Sequence, residues 1–209
     1  MDSLRQAAAE LSIPERTLKR AAAEGLIRGK RISPRRFRFP VSEEAYLRSH
    51  WTLLSRLRAA LRTEPNVRLA VLFGSVAKGD DREDSDIDVL VVLDDPRIGR
   101  LVALSERLTG RFGLDLQLVR LADAENSPAL MADAMEQGRV LVDRESGWAG
   151  LQETAGKWQR LARDAEKWSP EPLDRLELNT VDRRLEIEHE VSRDAAGATR
   201  QASGRRHRP

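Results

Sequence analysis

The chain has 209 residues, enough for one ordinary domain or for a compact domain of about a hundred residues with a smaller module beside it. Apolar residues make up 40% and aromatics only 4%, so a core must be built from Leu, Val and Ala. No cysteine is present, which excludes disulfides, thiolate metal sites and cysteine nucleophiles. The first ten residues lack the layout of a signal peptide, and no apolar run approaches a membrane span, so a soluble, cytoplasmic protein is expected with no membrane partner.

The net charge of +2 hides an asymmetry. Between Glu15 and Pro40 nine Lys/Arg face two Glu, an excess of +7. Between Asn66 and Glu145 ten basic residues face sixteen acidic ones, an excess of −6. One stretch suits a polyanion and the other suits cations.

In chain order, Ser3 to Glu10 reads as a short Ala-rich helix. Ser12 and Glu15 fit a capping box opening a second helix, which Gly25 closes. Leu4, Ala8, Leu11, Ile13, Leu18 and Leu26 would make a small core. Two short helices about a tight turn suggest a helix-turn-helix. Ser33-Pro34 is a turn signal, after which Phe37 and Phe39 alternate with Arg36 and Arg38, the pattern of a basic β-wing. The first 41 residues are therefore expected to form a winged helix-turn-helix module that binds DNA. Arg16, Thr17, Lys19 and Arg20 would lie on its recognition helix, and Arg35, Arg36 and Arg38 on its wing.

Ser42 is positioned to cap a helix from Glu43 to Arg62, whose Leu47, Trp51, Leu54, Leu57 and Leu61 recur at helical spacing. An α/β succession follows: strand Val67–Phe73, a sharp exit at Gly74-Ser75, a polar loop, and strand Ile87–Leu93. A helix over Ile98–Phe112, a strand over Leu114–Leu121, a helix over Pro128–Gln137 and a strand over Arg139–Asp143 complete it. Residues 42–146 thus read as the second domain. Residues 147–209 read as a C-terminal helix, Leu151 to Trp168, and a disordered charged tail ending in Arg205-Arg206-His207-Arg208. The three histidines, His50, His189 and His207, are scattered and read as surface residues.

The chemistry concentrates in Gly74-Ser75-Val76-Ala77-Lys78-Gly79 and Ser85-Asp86-Ile87-Asp88-Val89. In a strand, Asp86 and Asp88 point to one face, where they repel each other and call for a cation. Hard divalent ions such as Mg²⁺ take oxygen ligands. Asp115, on the polar face of a neighbouring strand, supplies a third carboxylate. Glycine lets the backbone approach phosphate, exposed N–H groups at such a turn bind anions, and Lys78 would meet a triphosphate as a point charge.

These residues closely resemble the signature of the minimal nucleotidyltransferases of the DNA polymerase beta superfamily: Gly-Ser-x-Ala-Arg-Gly, a loop, then Ser-Asp-x-Asp-Leu. Lys78 stands for the usual Arg and Val89 for Leu, and the resemblance spans Asn66 to Asp143. It implies an α/β (α+β) fold with a mixed sheet flanked by helices. It also implies Mg²⁺-dependent transfer of a nucleoside monophosphate, AMP from ATP, with release of pyrophosphate. Asp86, Asp88 and Asp115 carry over as catalytic ligands of two metal ions. Gly74, Ser75, Lys78 and Ser85 carry over as the nucleotide-binding group. Little of the chain lies beyond the core fold, so a protein partner or a second copy would complete the acceptor site. A protein or nucleic-acid acceptor is expected, in the manner of antitoxin-type regulators. The alternative is a non-enzymatic DNA-binding regulator whose acidic domain senses nucleotide or docks a partner. Transfer to a small molecule is the third reading.

Overall fold

In the computed structural model the described residues are 3–33, 36–82, 85–113 and 115–168. The chain divides into two compact units, Met1–Asp164 and Ala165–Pro209. Of the second unit only residues 165–168 are described. The expected tail from residue 169 on, with His189, His207 and the terminal basic run, lies outside the described residues.

Helices α1 (Ser3–Glu10) and α2 (Glu15–Ala23) stand where the sequence places them, but the junction differs. Ser12 caps nothing. It takes a left-handed φ of +54° just past α1. Its N–H donates to the Ala9 carbonyl at 3.1 Å and the Ile13 N–H to the Ala8 carbonyl at 3.0 Å. That pair of bonds closes the C-terminus of α1, with Ser12 in a place glycine usually holds. Pro14 then opens α2 with no side-chain cap. The capping box does not form because Ser12 is already committed to ending the previous helix.

Strands β1 (Lys30–Ser33) and β2 (Arg36–Arg38) pair antiparallel, with Arg31 opposite Phe37. Helix α3 begins at Val41, not Glu43, and runs to Arg62. Pro40, with φ of −62°, precedes its first turn and accepts the Glu43 N–H at 3.0 Å, so Ser42 lies inside the helix and caps nothing.

The remaining elements are β3 (Val67–Phe73), α4 (Gly74–Lys78), β4 (Ile87–Leu93), α5 (Ile98–Phe112), β5 (Leu116–Arg120), α6 (Leu121–Ala124), α7 (Pro128–Gln137) and β6 (Arg139–Asp143). Two helices follow, α8 (Gly147–Glu153) and α9 (Ala155–Trp168). The single helix expected from Leu151 breaks at Thr154. The Thr154 hydroxyl donates to the Leu151 carbonyl at 2.7 Å and accepts the Trp158 indole N–H at 3.1 Å. A side chain that claims a backbone carbonyl this way competes with helix continuation.

The four-stranded sheet has the order β5-β4-β3-β6. β3 is antiparallel to both β4 and β6, and β4 is parallel to β5, so the sheet is mixed as expected. Each face buries a cluster. One gathers Ala70, Leu72, Val89 and Val91 with Leu54, Leu57 and Leu61 of α3 and Leu104 and Leu108 of α5. Leu4, Leu18 and Leu26 of the N-terminal segment belong to that same cluster. A fully buried Leu contributes roughly 1.5–3 kcal/mol, so helices α1 and α2 are fastened to this core. The Val140 N–H of edge strand β6 also donates to the Gly25 carbonyl at 3.0 Å. The opposite face gathers Leu69, Val71, Phe73 and Leu90 with Met131, Ala134 and Met135 of α7 and Trp158 of α9.

Candidate active site

Alternation along β4 sends Ile87, Val89 and Val91 into the first cluster and Leu90 into the second. Asp86 and Asp88 therefore share the second face, at the end of β4 where it emerges from the polar loop. Parallel pairing sets Ile87 opposite Leu116 and Asp88 opposite Gln117. Asp86 and Asp115 stand one step earlier in that register, and the Ile87 N–H donates to the Asp115 carbonyl at 2.9 Å. Asp115 lies just before β5, which begins two residues later than the sequence suggests; Leu114 is outside the described residues. The topology thus brings all three sequence-predicted carboxylates to one corner of the sheet.

Gly74 meets them there. Its φ is +74°, a left-handed value, and a Cβ on it would land on the Asp88 carboxylate. Both facts require glycine. The chain turns into α4 at this point, and the Ser75 carbonyl accepts the N–H groups of Gly79 at 2.9 Å and Asp80 at 3.1 Å. Ser85 closes a turn before the Asp pair: its hydroxyl accepts the Arg82 N–H at 2.8 Å and its own N–H donates to the Arg82 carbonyl at 3.1 Å. Lys78 reaches Asp133 of α7, 2.6 Å away.

Burial pushes the Asp88 carboxyl above the usual carboxylate range, and the charges of Asp86 and Asp133 push it the same way. A carboxylate crowded by two others on a half-buried edge is short of positive charge. The donor set there is oxygen only, which fits a hard divalent cation. Among the described residues no group of three or more His, Asp or Glu side chains closes around one point tightly enough to hold a metal ion.

Sequence reasoning missed what holds α4 from behind. Arg139, 1% exposed, makes a two-pronged ion pair with Glu43, 3% exposed, at 2.6 and 3.0 Å. Its Nε donates to the Ala77 carbonyl at 2.8 Å and its Nη1 to the Leu26 carbonyl at 3.4 Å. Arg28 Nη2 donates to the same Ala77 carbonyl at 3.0 Å and also to the Gln137 carbonyl. The Tyr46 hydroxyl donates to the Val76 carbonyl at 3.1 Å, and its ring lies 3.5 Å beneath the Arg139 guanidinium. Burial raises the Tyr46 phenol to about 12. His50 stacks on Tyr46, with ring centroids 4.3 Å apart, and its Nε2 lies 2.8 Å from Asp81 in the loop after α4. It is a half-buried brace rather than the surface residue expected. The signal available was Arg139 directly before an apolar run, and a lone Arg at a strand start says little.

The expected DNA-contacting residues are dispersed. Lys19 pairs with Glu15 at 2.5 Å and Arg20 with Glu24 at 2.8 Å. Arg16, Thr17 and Arg20 line a groove against α3. Arg38 is exposed on β2. Arg35 lies outside the described residues, as does the side chain of Arg36.

The Polymerase beta, Nucleotidyltransferase family matches residues 55–147. The protein adenylyltransferase MntA of Thermococcus cleftensis is 35% identical over 69 residues, which are 32% of this chain and 70% of that protein. The chain belongs to the polymerase beta nucleotidyltransferase family and is a nucleotidyltransferase. A chain of a solved toxin–antitoxin complex with AMP-PNP is 26% identical, with a TM-score of 0.45 over 55% of this chain and 93% of that one. A chain from the complex of the tri-AMPylated Shewanella oneidensis HEPN toxin with its MNT antitoxin is 23% identical, with a TM-score of 0.43 over 56% and 93%. No described helix is long and apolar enough to cross a membrane.

Proposed function

We propose that the chain transfers AMP from ATP to a hydroxyl of a protein partner, as an antitoxin-type regulator, with Asp86, Asp88 and Asp115 as its catalytic carboxylates. The observation that carries this reading is the close approach of the Asp88 carboxylate to Gly74, with the charge of Asp86 beside it. The relative from Thermococcus cleftensis is named a protein adenylyltransferase, which supports the choice of AMP and of a protein acceptor.

The residues divide the work. Gly74 and Ser75 offer backbone N–H groups and the Ser75 hydroxyl to phosphate oxygens. Lys78, on the same helix, exchanges Asp133 for the triphosphate. Ser85 holds the turn that aims Asp86 and Asp88. Asp86, Asp88 and Asp115 would hold two Mg²⁺ ions, which would supply the positive charge that favours attack of an oxygen and departure of pyrophosphate. Asp115 takes the proton of the acceptor hydroxyl as that oxygen bonds to the α-phosphorus, and the bond from the α-phosphorus to the bridging oxygen of pyrophosphate breaks. A protein partner or second copy completes the acceptor site. Residues 1–41 serve as a DNA-binding arm, residues 42–146 as the transferase domain and residues 147–209 as its C-terminal extension, in the cytoplasm.

Radiolabelled nucleoside triphosphates, Mg²⁺ and a lysate of the source cells test this reading. Wild-type protein should label one protein species from α-labelled ATP, and Asp86→Asn/Asp88→Asn protein should not. Label on nucleic acid would move the acceptor class. No transfer from any triphosphate would sink the assignment of these residues.

A further inference from the structure

Helices α2 and α3 enclose a groove of about 610 Å³ that shares no residue with the carboxylate corner. Arg16 and Arg20 come from α2, Arg58 and Arg62 from α3, and Leu26 and Trp51 add an apolar wall. Arg20, Arg58 and Arg62 all converge on one carboxylate, Glu24. Three guanidiniums on one Glu leave two positive charges over, and Arg16 adds a third. Arg58 is largely buried, and its Nε has no hydrogen-bond partner. Burial, then the nearness of Arg62 and Arg20, pulls its guanidinium down to about 10. Cations are not gathered and half-buried around a single carboxylate without cost. A second anion seated in the groove would remove that cost.

We propose that this groove binds a nucleoside phosphate, its phosphate group among Arg16, Arg58 and Arg62 and its base against Trp51. The chemistry follows from the lining. Arginine presents a planar fork of donors that matches phosphate oxygens. The half-buried indole of Trp51 gives a ring an apolar surface, which inorganic sulfate or phosphate would not use. Thr17 and Ser55 add hydroxyls at the rim. The same recognition accepts a free nucleotide or a nucleotide unit of a nucleic acid, and the experiment separates the two.

Full-length protein is titrated calorimetrically with AMP in EDTA, then with inorganic phosphate, and the AMP titration is repeated with a 20-base-pair duplex present. One AMP per chain is expected, bound more tightly than phosphate. Arg58→Gln should weaken AMP about tenfold, and Arg16→Gln, an exposed change with no packing role, about threefold, the scale of lost charged hydrogen bonds. Asp86→Asn/Asp88→Asn protein should bind AMP as the wild type does. Competition by the duplex, lost with the same arginines, would assign the phosphate to nucleic acid; absence of competition would assign a free nucleotide. AMP binding that ignores Arg16 and Arg58, or that disappears with the aspartates, overturns the proposal, as does no binding of any of the three probes.

Discussion

Two groups of charges meet the short helix α4, and the fold treats them in opposite ways. At its start Asp88 crowds Gly74, with Asp86 and Asp133 adding like charge and, among the described residues, Lys78 paired with Asp133. At its end Arg139 and Glu43 are fully buried, paired through two bonds, and committed to backbone carbonyls. The first group is under-compensated and half-open, the condition of a site that waits for a ligand. The second is compensated internally, the condition of a structural clamp. A buried charge is therefore no guide to chemistry until its partners are counted.

The comparison breaks most sharply if the two groups are exchanged in their effects. Asp86→Asn/Asp88→Asn should cut nucleotidyl transfer by about a thousandfold or more, equivalent to about 4 kcal/mol in the barrier. Its thermal stability should hold or rise, since a repulsion has been removed; rates and melting curves on one preparation would decide. Arg139→Met should do the reverse and cost about 3–5 kcal/mol in urea unfolding, because Glu43 is left buried and unpaired. Restoring balance with Glu43→Leu/Arg139→Met should recover most of that stability. If the clamp also positions α4, the double variant should stay slow while folded, with the Ala77 carbonyl short of its Nε donor.

Gly74→Ala sharpens the boundary between the groups. The left-handed backbone and the Asp88 contact both oppose a Cβ, so a loss of about 1–2 kcal/mol in stability is expected. A larger fall in transfer than in stability, read from kcat and urea midpoints together, would place the turn in the site. The smallest effect concerns Tyr46, the one tyrosine in the chain. Its folded pKa is raised from 10.0 to about 12, mainly by burial. Raised means the neutral phenol is favoured in the fold, so its contribution is complete below about 10 and is lost as pH rises toward about 12. Phenolate absorbance should show a single late titration near the upper value. Unfolding free energy should fall by about 2–3 kcal/mol across that window, a slope missing in Tyr46→Phe, which itself costs about 1 kcal/mol through the lost Val76 bond.

Strands β3, β4 and β6 and helices α5 and α7 were legible from periodicity and, for α7, from Gly138 at its end, because those signals are local. The Gly-Ser and Asp-x-Asp elements were legible for the same reason. Their neighbours in sequence already place them at strand ends. Errors gathered at junctions: Ser12 ends α1 instead of opening α2, Ser42 lies inside α3, and the Thr154 hydroxyl bonds back to Leu151. Glu43 and Tyr46 come from α3, Arg139 from β6 and Arg28 from the segment between α2 and β1, and the four arginines of the groove from two helices. No spacing in a sequence records which distant charges will share one buried point, since that depends on how helices close over a sheet. The sequence by itself determined the strands, the turn and the three carboxylates of one sheet corner. Tertiary structure alone decided which charges were cancelled and which were left open, because cancellation needs contact.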